Sequence, residues 1–335
     1  MLRHLLSGDL IHIDKKLASV KEDLRDKKIF ITGGTGFFGK WLIQSLDYLN
    51  MKNNLNLTLF LLTRNKNKTQ EMFETLSINR TYFEGSLSDF KVKGLEIDYV
   101  IHGAADASSI HSPRSTKGIS GITEEVQKLG QFSLDSHVVR FLNISSGAVY
   151  GEGSSFLESE IIDENNLKTN YSVGKLRSEK LLNDLSIDGS LVIVHARCFS
   201  FAGAYLPADR GYAVENFISS RLKHEKIKVT GDGLAGRSYM HPGDLVVWLL
   251  TILLKGRNNE IYNVGNDDEI TITNLERLIN SFFDKEEYLP KKMCPGKNYY
   301  IPNIKKANSF LSLSNSFTSQ EVVEQYCQWC LNYQN

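Results

Sequence analysis

Neither sign of charge dominates this chain. Its 39 Lys and Arg stand against 39 Asp and Glu, so no overall field draws it to nucleic acid or anionic lipid, and small neutral or anionic ligands are the expected partners. Long apolar runs are missing as well. The longest, Leu245 to Leu254, has ten residues, too short for a bilayer, and reads as a buried helix; no membrane association is expected. The first leucines are interrupted by His4, Asp9 and Asp14 where a secretory segment would be apolar, and a cytoplasmic location is the expectation. Cysteine is scarce. Cys198, Cys294, Cys327 and Cys330 are too few in 335 residues for a disulfide framework. Cys327 and Cys330 have the spacing of a redox or metal pair, but they fall in a helical pattern with Val322, Val323, Tyr326 and Trp329 and no second Cys/His pair lies nearby. They read as one turn of core residues, and no metal site is expected. Repeats, low-complexity tracts and long charge runs are absent too, which leaves a globular chain whose 41% hydrophobic content supplies an ordinary core.

What is present begins with glycine. Gly33, Gly36 and Gly39 recur at intervals of three in Thr32-Gly33-Gly34-Thr35-Gly36-Phe37-Phe38-Gly39, after the apolar run Lys28-Ile29-Phe30-Ile31 and before the helical pattern Trp41, Leu42, Leu46, Leu49. A strand that ends in a glycine turn and opens into a helix aims unpaired backbone N–H groups and the positive end of the helix dipole at one point, which suits a pyrophosphate. The glycines divide the work: a tight turn, close approach of backbone to phosphate, and close packing of helix on strand.

Strand and helix signals then alternate. Runs at Leu55 to Leu62, Tyr99 to His102, Val138 to Ser145 and Ser190 to Ala196 are separated by helix-length segments, the pattern of a parallel sheet covered on both faces. Residues 1–27 read as a helical arm with Leu17, Val20 and Leu24 on one face. After Arg197 the rhythm breaks into a mixed region, with short strands expected at Ile227 to Thr230 and Ile261 to Val264, and helices at Val214 to Lys223, Pro242 to Leu254, Ile272 to Phe283 and Ser319 to Tyr333.

In dinucleotide folds the end of the second strand meets the adenine ribose, where an acid selects NAD and an arginine accommodates the 2′-phosphate of NADP. Here that strand ends Leu62-Thr63-Arg64-Asn65, so the acid is missing and Arg64 favours NADP over NAD. Tyr99-Val100-Ile101-His102-Gly103-Ala104-Ala105 ends another strand in small residues, which lets Ala104 and Ala105 pass close to the cofactor. His102 lacks a carboxylate partner in sequence and reads as structural.

The chemistry is carried by Tyr171-Ser172-Val173-Gly174-Lys175, where a phenol and an ammonium four residues apart share one helix face. A free phenol titrates near pH ~10, and a fixed positive charge stabilises its anion. Asn143-Ile144-Ser145-Ser146-Gly147-Ala148-Val149-Tyr150-Gly151 is a strand running out into hydroxyls at the carboxyl end, the edge where open α/β sheets bind ligands. Ser146 there is placed to hold the substrate oxygen with which Tyr171 exchanges a proton. Ser145 reads as a turn-forming hydroxyl.

On these motifs, together with Arg237-Ser238-Tyr239-Met240-His241-Pro242-Gly243-Asp244, the chain resembles the extended short-chain dehydrogenase/reductases over roughly residues 28–315, in particular the NAD-dependent epimerase/dehydratase family that acts on nucleotide sugars. The resemblance implies that Tyr171 is the acid/base, that Lys175 binds the nicotinamide ribose and tunes Tyr171, and that Ser146 completes the triad. It places Gly33, Gly36, Phe37, Phe38, Gly39, Thr63, Arg64, Ser86, Leu87, Ala104 and Ala105 at the cofactor, and Asn216 and Arg237 at a sugar-linked diphosphate. Asp244 is read equally well as a helix cap. The sequence departs from the pattern in three places. Gly147-Ala148 stands where the family's dehydratases carry Asp-Glu, Ser86-Leu87 replaces an acidic adenine contact, and Gly118 an asparagine. The first of these disfavours a dehydratase.

The expectation is therefore an α/β protein, a Rossmann-type doubly wound parallel sheet with a smaller mixed α/β C-terminal substrate lobe, divided as arm 1–27, dinucleotide domain 28–197 and mainly substrate-binding 198–335, partly interleaved. The function expected is an NAD(P)-dependent nucleotide-sugar epimerase or ketoreductase, with a homodimer as an analogy of fold alone. Two rivals stay open: a reductase of non-sugar carbonyls, and a cofactor-binding regulator without catalysis.

Overall fold

In a computed structural model the described residues are 5–89, 92, 94–104, 119–152, 155–186, 189–207, 211–292 and 298–333. Ala105, Gly118 and Cys294 lie outside them.

The centre of the molecule is a seven-stranded, wholly parallel sheet. Its strands are β1 (Lys28–Thr32), β2 (Thr58–Thr63), β3 (Asn79–Glu84), β4 (Tyr99–His102), β5 (Arg140–Ser146), β6 (Val192–Cys198) and β8 (Glu260–Val264), in the order β3-β2-β1-β4-β5-β6-β8. The chain runs outward from β1 to β3, then returns to the other side of β1 with β4. The crevice between β1 and β4 is thus the point where the strand order reverses, the usual seat of a ligand in such sheets.

The strands form because their side chains bury on both faces with a period of two. Ile29 and Ile31, Ile101, Leu142 and Ile144, and Val194 and Ala196 enter one core. Phe30, Val100, Phe141 and Ile193 enter the opposite one. That second face is covered by α4 (Ile119–Asp135), through Val126, Leu129 and Phe132, and by α5 (Asn170–Leu185), through Leu182. On the first face lie α2 (Phe37–Asn53) and α7 (Pro242–Lys255). The apolar run of α7 has a simple cause: the helix is packed between β5 and β6 on one side and α1 (Ser7–Lys16) with α2 on the other, so every residue from Pro242 to Leu254 is buried. The N-terminal arm is the outer layer that makes this possible.

A second core joins α6 (Ala213–Leu222), α8 (Ile272–Asp284) and α10 (Ser319–Tyr333). Cys327 and Cys330 are buried within it as free thiols, in line with their reading as core residues. Beside it sits a small mixed sheet, β10-β7-β9, in which β7 (Gly236–Arg237) pairs parallel with β10 (Tyr299–Tyr300) and antiparallel with β9 (Ile270–Thr271). The remaining helices are α3 (Lys66–Met72) and α9 (Lys305–Leu311).

Two expectations change. Ile227 to Thr230 has alternating side chains but forms no strand; Ile227 and Val229 are only partly buried against the second core, and no neighbouring strand offers them a ladder. The run at Ile261 to Val264 is a strand, but it belongs to the large sheet, where it pairs with β6. Among the described residues no helix is long and apolar enough to cross a membrane, and no three His, Cys, Asp or Glu side chains are grouped to hold a metal.

Candidate active site

The β1–α2 turn is shaped by close approach. Gly33 has φ 75°, and a Cβ there would lie 2.5 Å from the Gly103 carbonyl carbon at the end of β4; at Gly39 it would meet the Gly33 oxygen at 2.4 Å. Neither contact admits a side chain. Gly36 caps α2 without a side-chain hydrogen bond, so the first N–H groups of a 17-residue helix open onto the crevice. This cradle fits a dinucleotide pyrophosphate. The Phe37 and Phe38 rings pack on Phe201, with centroids 6.4 and 5.1 Å away, so their side chains belong to the packing and their backbone N–H groups are the donors they have to offer at the helix start.

Around the turn, the expected cofactor residues divide by environment. Thr63 is buried and its hydroxyl meets that of Thr69 at 2.7 Å, which fixes the start of α3. Arg64, beside it, is exposed and makes no hydrogen bond or ion pair among the described residues. Lys40 of α2 has its pKa lowered by burial and by the charge of Lys68, whose backbone N–H donates to Asn65 next to Arg64; periodicity had given no sign of this pair of lysines. Ser86 bonds to Asp89 at 2.6 Å, while Leu87 is in the core. The Ala104 N–H donates to Thr32 Oγ1 at 3.2 Å. The Thr32 hydroxyl also meets His102 Nδ1 at 2.8 Å. Burial, then the charge of Lys175, draws His102 down to about 3, so it is a neutral tie between β1 and β4.

The catalytic candidates gather where β5 ends against the start of α5. Thr169 caps α5 by accepting from the Ser172 N–H at 3.1 Å, which sets Tyr171 in the first turn and Lys175 one turn on. Ser146 closes β5; its hydroxyl accepts from the Ala148 N–H at 3.1 Å and lies beside Tyr171, whose pKa it works to lower. Lys175 Nζ donates to the Ile144 carbonyl at 2.7 Å and lies 6.0 Å from the Tyr171 ring centroid. All three are buried. Burial pushes the Tyr171 phenol above its usual range, only partly offset by Ser146, and draws Lys175 down to about 8. The protein alone therefore raises the phenol, where the sequence suggests that a neighbouring ammonium lowers it. Desolvation outweighs a cation whose hydrogen bond goes to a backbone carbonyl.

Three residues join this site unannounced. The Tyr300 hydroxyl lies beside Ser146, which works to lower its pKa, and a Cβ on Gly147 would lie 2.8 Å from it. Tyr212, the N-cap of α6, interacts electrostatically with both Tyr171 and Tyr300. Cys198, at the end of β6, faces Lys175, and burial raises its thiol well out of the reactive range. Tyr300 also ties in the expected diphosphate residue: it stands directly across from Arg237 in the β10–β7 ladder. Arg237 is half-buried and donates to the Gly236 carbonyl at 2.7 Å. Asn216 is exposed on the first turn of α6, four residues after Tyr212.

A glycine cradle at the reversal point of a parallel sheet, beside a Ser–Tyr–Lys cluster, defines a dinucleotide-dependent enzyme of the short-chain dehydrogenase/reductase class. A family description, NAD dependent epimerase/dehydratase family, matches residues 29–265. The chain belongs to that family. It is 29% identical over 295 residues to UDP-glucuronic acid decarboxylase 4 of Arabidopsis thaliana, a match that covers 85% of this chain and 64% of the plant protein. The chain thus spans less than two thirds of that relative's length. Its fold is similar to that of UDP-glucose 4-epimerase of Thermotoga maritima, solved with UDP-glucose, at TM-score 0.74 and 21% identity, covering 92% of this chain and 100% of that one. It is also similar to that of dTDP-glucose 4,6-dehydratase of Bacillus anthracis in complex with NAD, at TM-score 0.73 and 17% identity, covering 92% and 97%.

Proposed function

We propose that the protein is a nucleotide-sugar epimerase or ketoreductase in which Tyr171 exchanges a proton with a sugar hydroxyl held by Ser146. The observation that carries this reading is the placement of the buried Tyr171 phenol beside Ser146, one helical turn from buried Lys175. Bound at the glycine cradle, a nicotinamide dinucleotide would supply the acceptor and donor of hydride. Gly33, Gly36 and Gly39 would admit its pyrophosphate, with the backbone N–H groups of Phe37 and Phe38 as donors, while Lys175 would meet the nicotinamide ribose. Arg64 would take a 2′-phosphate, and the convergence of Lys40 and Lys68 supports NADP at that corner; the solved dehydratase in complex with NAD supports the other choice. Arg237 and Asn216 would hold the substrate diphosphate, Arg237 from the strand whose neighbour carries Tyr300.

Elimination of water is disfavoured because Gly147 and Ala148, next to Ser146, carry no carboxyl to act as its acid and base. A second reading, loss of CO2 from a nucleotide-linked uronic acid, is favoured by the decarboxylase relative. There the oxidised ring carbon would make a β-keto acid, which sheds its carboxylate without a further carboxyl group. The test is purified protein incubated with UDP-glucose or UDP-glucuronic acid and NAD or NADP(H), with products separated by mass and chromatography. An isomer formed without net cofactor change identifies an epimerase, stoichiometric reduction of NAD or NADP with a keto-sugar product a ketoreductase run in reverse, and CO2 with a pentose product a decarboxylase. Turnover of none of these would remove the reading.

A further inference from the structure

Tyr171, Lys175 and Glu179 recur every four residues and share one face of α5. Glu179 is held by three hydrogen bonds from two residues. Arg197 Nε and Nη2 donate to its two oxygens at 3.1 and 2.6 Å, and the Ser145 hydroxyl donates at 2.5 Å. Ser145 precedes Ser146 on β5, and Arg197 precedes Cys198 on β6, so the ion pair lies directly behind the catalytic cluster. Both partners are buried, and the Arg197 guanidinium is also stacked 4.6 Å from the Tyr150 ring centroid.

The neighbours of Lys175 separate cleanly by charge. From its own helix come Tyr171 and Glu179, from β4 His102 and from β6 Cys198, with Arg197 and His195 behind Glu179. Tyr171 and Cys198 are pushed up and stay neutral; His102 and His195 are drawn down to about 3 and about 4 and stay neutral. Burial alone would raise Glu179, but the bonds and charge of Arg197 reverse this and keep it a carboxylate. Of the two groups that raise Lys175, Cys198 and Glu179, burial keeps the thiol neutral, which leaves Glu179 as the carboxylate acting, among the described residues, on a cation that burial works to discharge.

We propose that Glu179, pinned by Arg197 and Ser145, is a positioning residue that keeps the Lys175 ammonium charged beside Tyr171. The bidentate geometry matters because a lone buried carboxylate would take up a proton and lose its effect. The inference rests on the reading of Lys175 as the cofactor-side partner of Tyr171.

Titration of the full chain with 13Cε-labelled lysine, followed by NMR and assigned with Lys175→Arg, reads the ammonium directly. In the wild type Lys175 is expected to titrate near its value of about 8. In Glu179→Gln the transition is expected about one unit lower, and in Glu179→Asp close to wild type. A folded Glu179→Gln protein with Lys175 titrating as in wild type overturns the proposal. Should Glu179→Gln fail to fold, Glu179→Gln/Arg197→Met removes both charges at similar volume; a lowered Lys175 transition supports the proposal and an unchanged one overturns it. Dinucleotide binding by the wild type, followed by fluorescence, tests the functional reading separately: absence of binding would end that reading while the lysine titration still decides the role of Glu179.

Discussion

At Tyr171 the phenol is buried beside Ser146 and held above its usual range, so it carries its proton at neutral pH, and on the proposed reading that proton goes to a substrate oxygen. Replacing it with Phe keeps the ring and removes the proton, so turnover is expected to fall by ~10²–10⁴ with dinucleotide affinity unchanged, as steady-state rates set beside fluorescence titration would register. The charge on Lys175 imposes a pH dependence of definite sign. The group is positive below about 8 and neutral above it, so affinity for the dinucleotide is expected to decline as pH rises through that value, which calorimetric titration on either side would detect. At the adenine corner, Arg64→Ala should weaken NADP about tenfold, the loss of one charge-assisted contact, and leave NAD within a factor of two or so; equal weakening of both would remove Arg64 from phosphate recognition. Tyr171, Lys175 and Ser146 were legible because each sits in a local motif. Tyr300 was not, because it reaches Ser146 only through the pairing of a two-residue strand with Gly236–Arg237, more than sixty residues away in sequence. No local periodicity records such a partner.

At the level of elements, the β1–α2 turn tolerates no addition at Gly39. Gly39→Ala is expected to abolish dinucleotide binding and to lower the melting temperature, because its methyl would lie 2.4 Å from the Gly33 carbonyl oxygen. The arm helix α1 carries the opposite kind of liability. Its Asp9 is pushed up to about 6 by burial, with His12 working against the rise. A carboxyl whose folded pKa is raised contributes stability that is fully present below about pH 4 and lost as pH rises through about 6. Asp9→Asn should thus stabilise the protein at neutral pH by up to about 3 kcal/mol, with no difference from wild type below about pH 4, readable in urea melts at the two pH values. Four helices of the C-terminal region, α6, α7, α8 and α10, were legible to within a residue or two because their apolar spacing is long and regular, whereas the seven-residue α9, with Ala307 as its one buried residue, was not. Ile227 to Thr230 misled because alternation over four residues says nothing about whether a neighbouring strand exists to pair with it.

On the scale of the whole molecule, the parallel sheet sets the cofactor cradle, the catalytic cluster and the small β10-β7-β9 sheet along one edge, with Tyr300 as the link from Ser146 to the strand of Arg237. A ligand that engages both ends should stabilise the protein more than one that engages either. A nucleotide sugar at 100 times its dissociation constant is expected to add ~2.7 kcal/mol, visible as a thermal shift that Arg237→Ala diminishes.

The return of β8 to the large sheet carries a consequence for biogenesis. As the polypeptide leaves the ribosome, everything from Phe199 to Asn259 must emerge before Glu260–Val264 can cover the open flank of β6. Until then a row of unsatisfied amides and carbonyls faces solvent, a template for wrong partners. A fragment ended at Arg197 would keep that flank bare for good, and is expected to aggregate more readily than the intact chain.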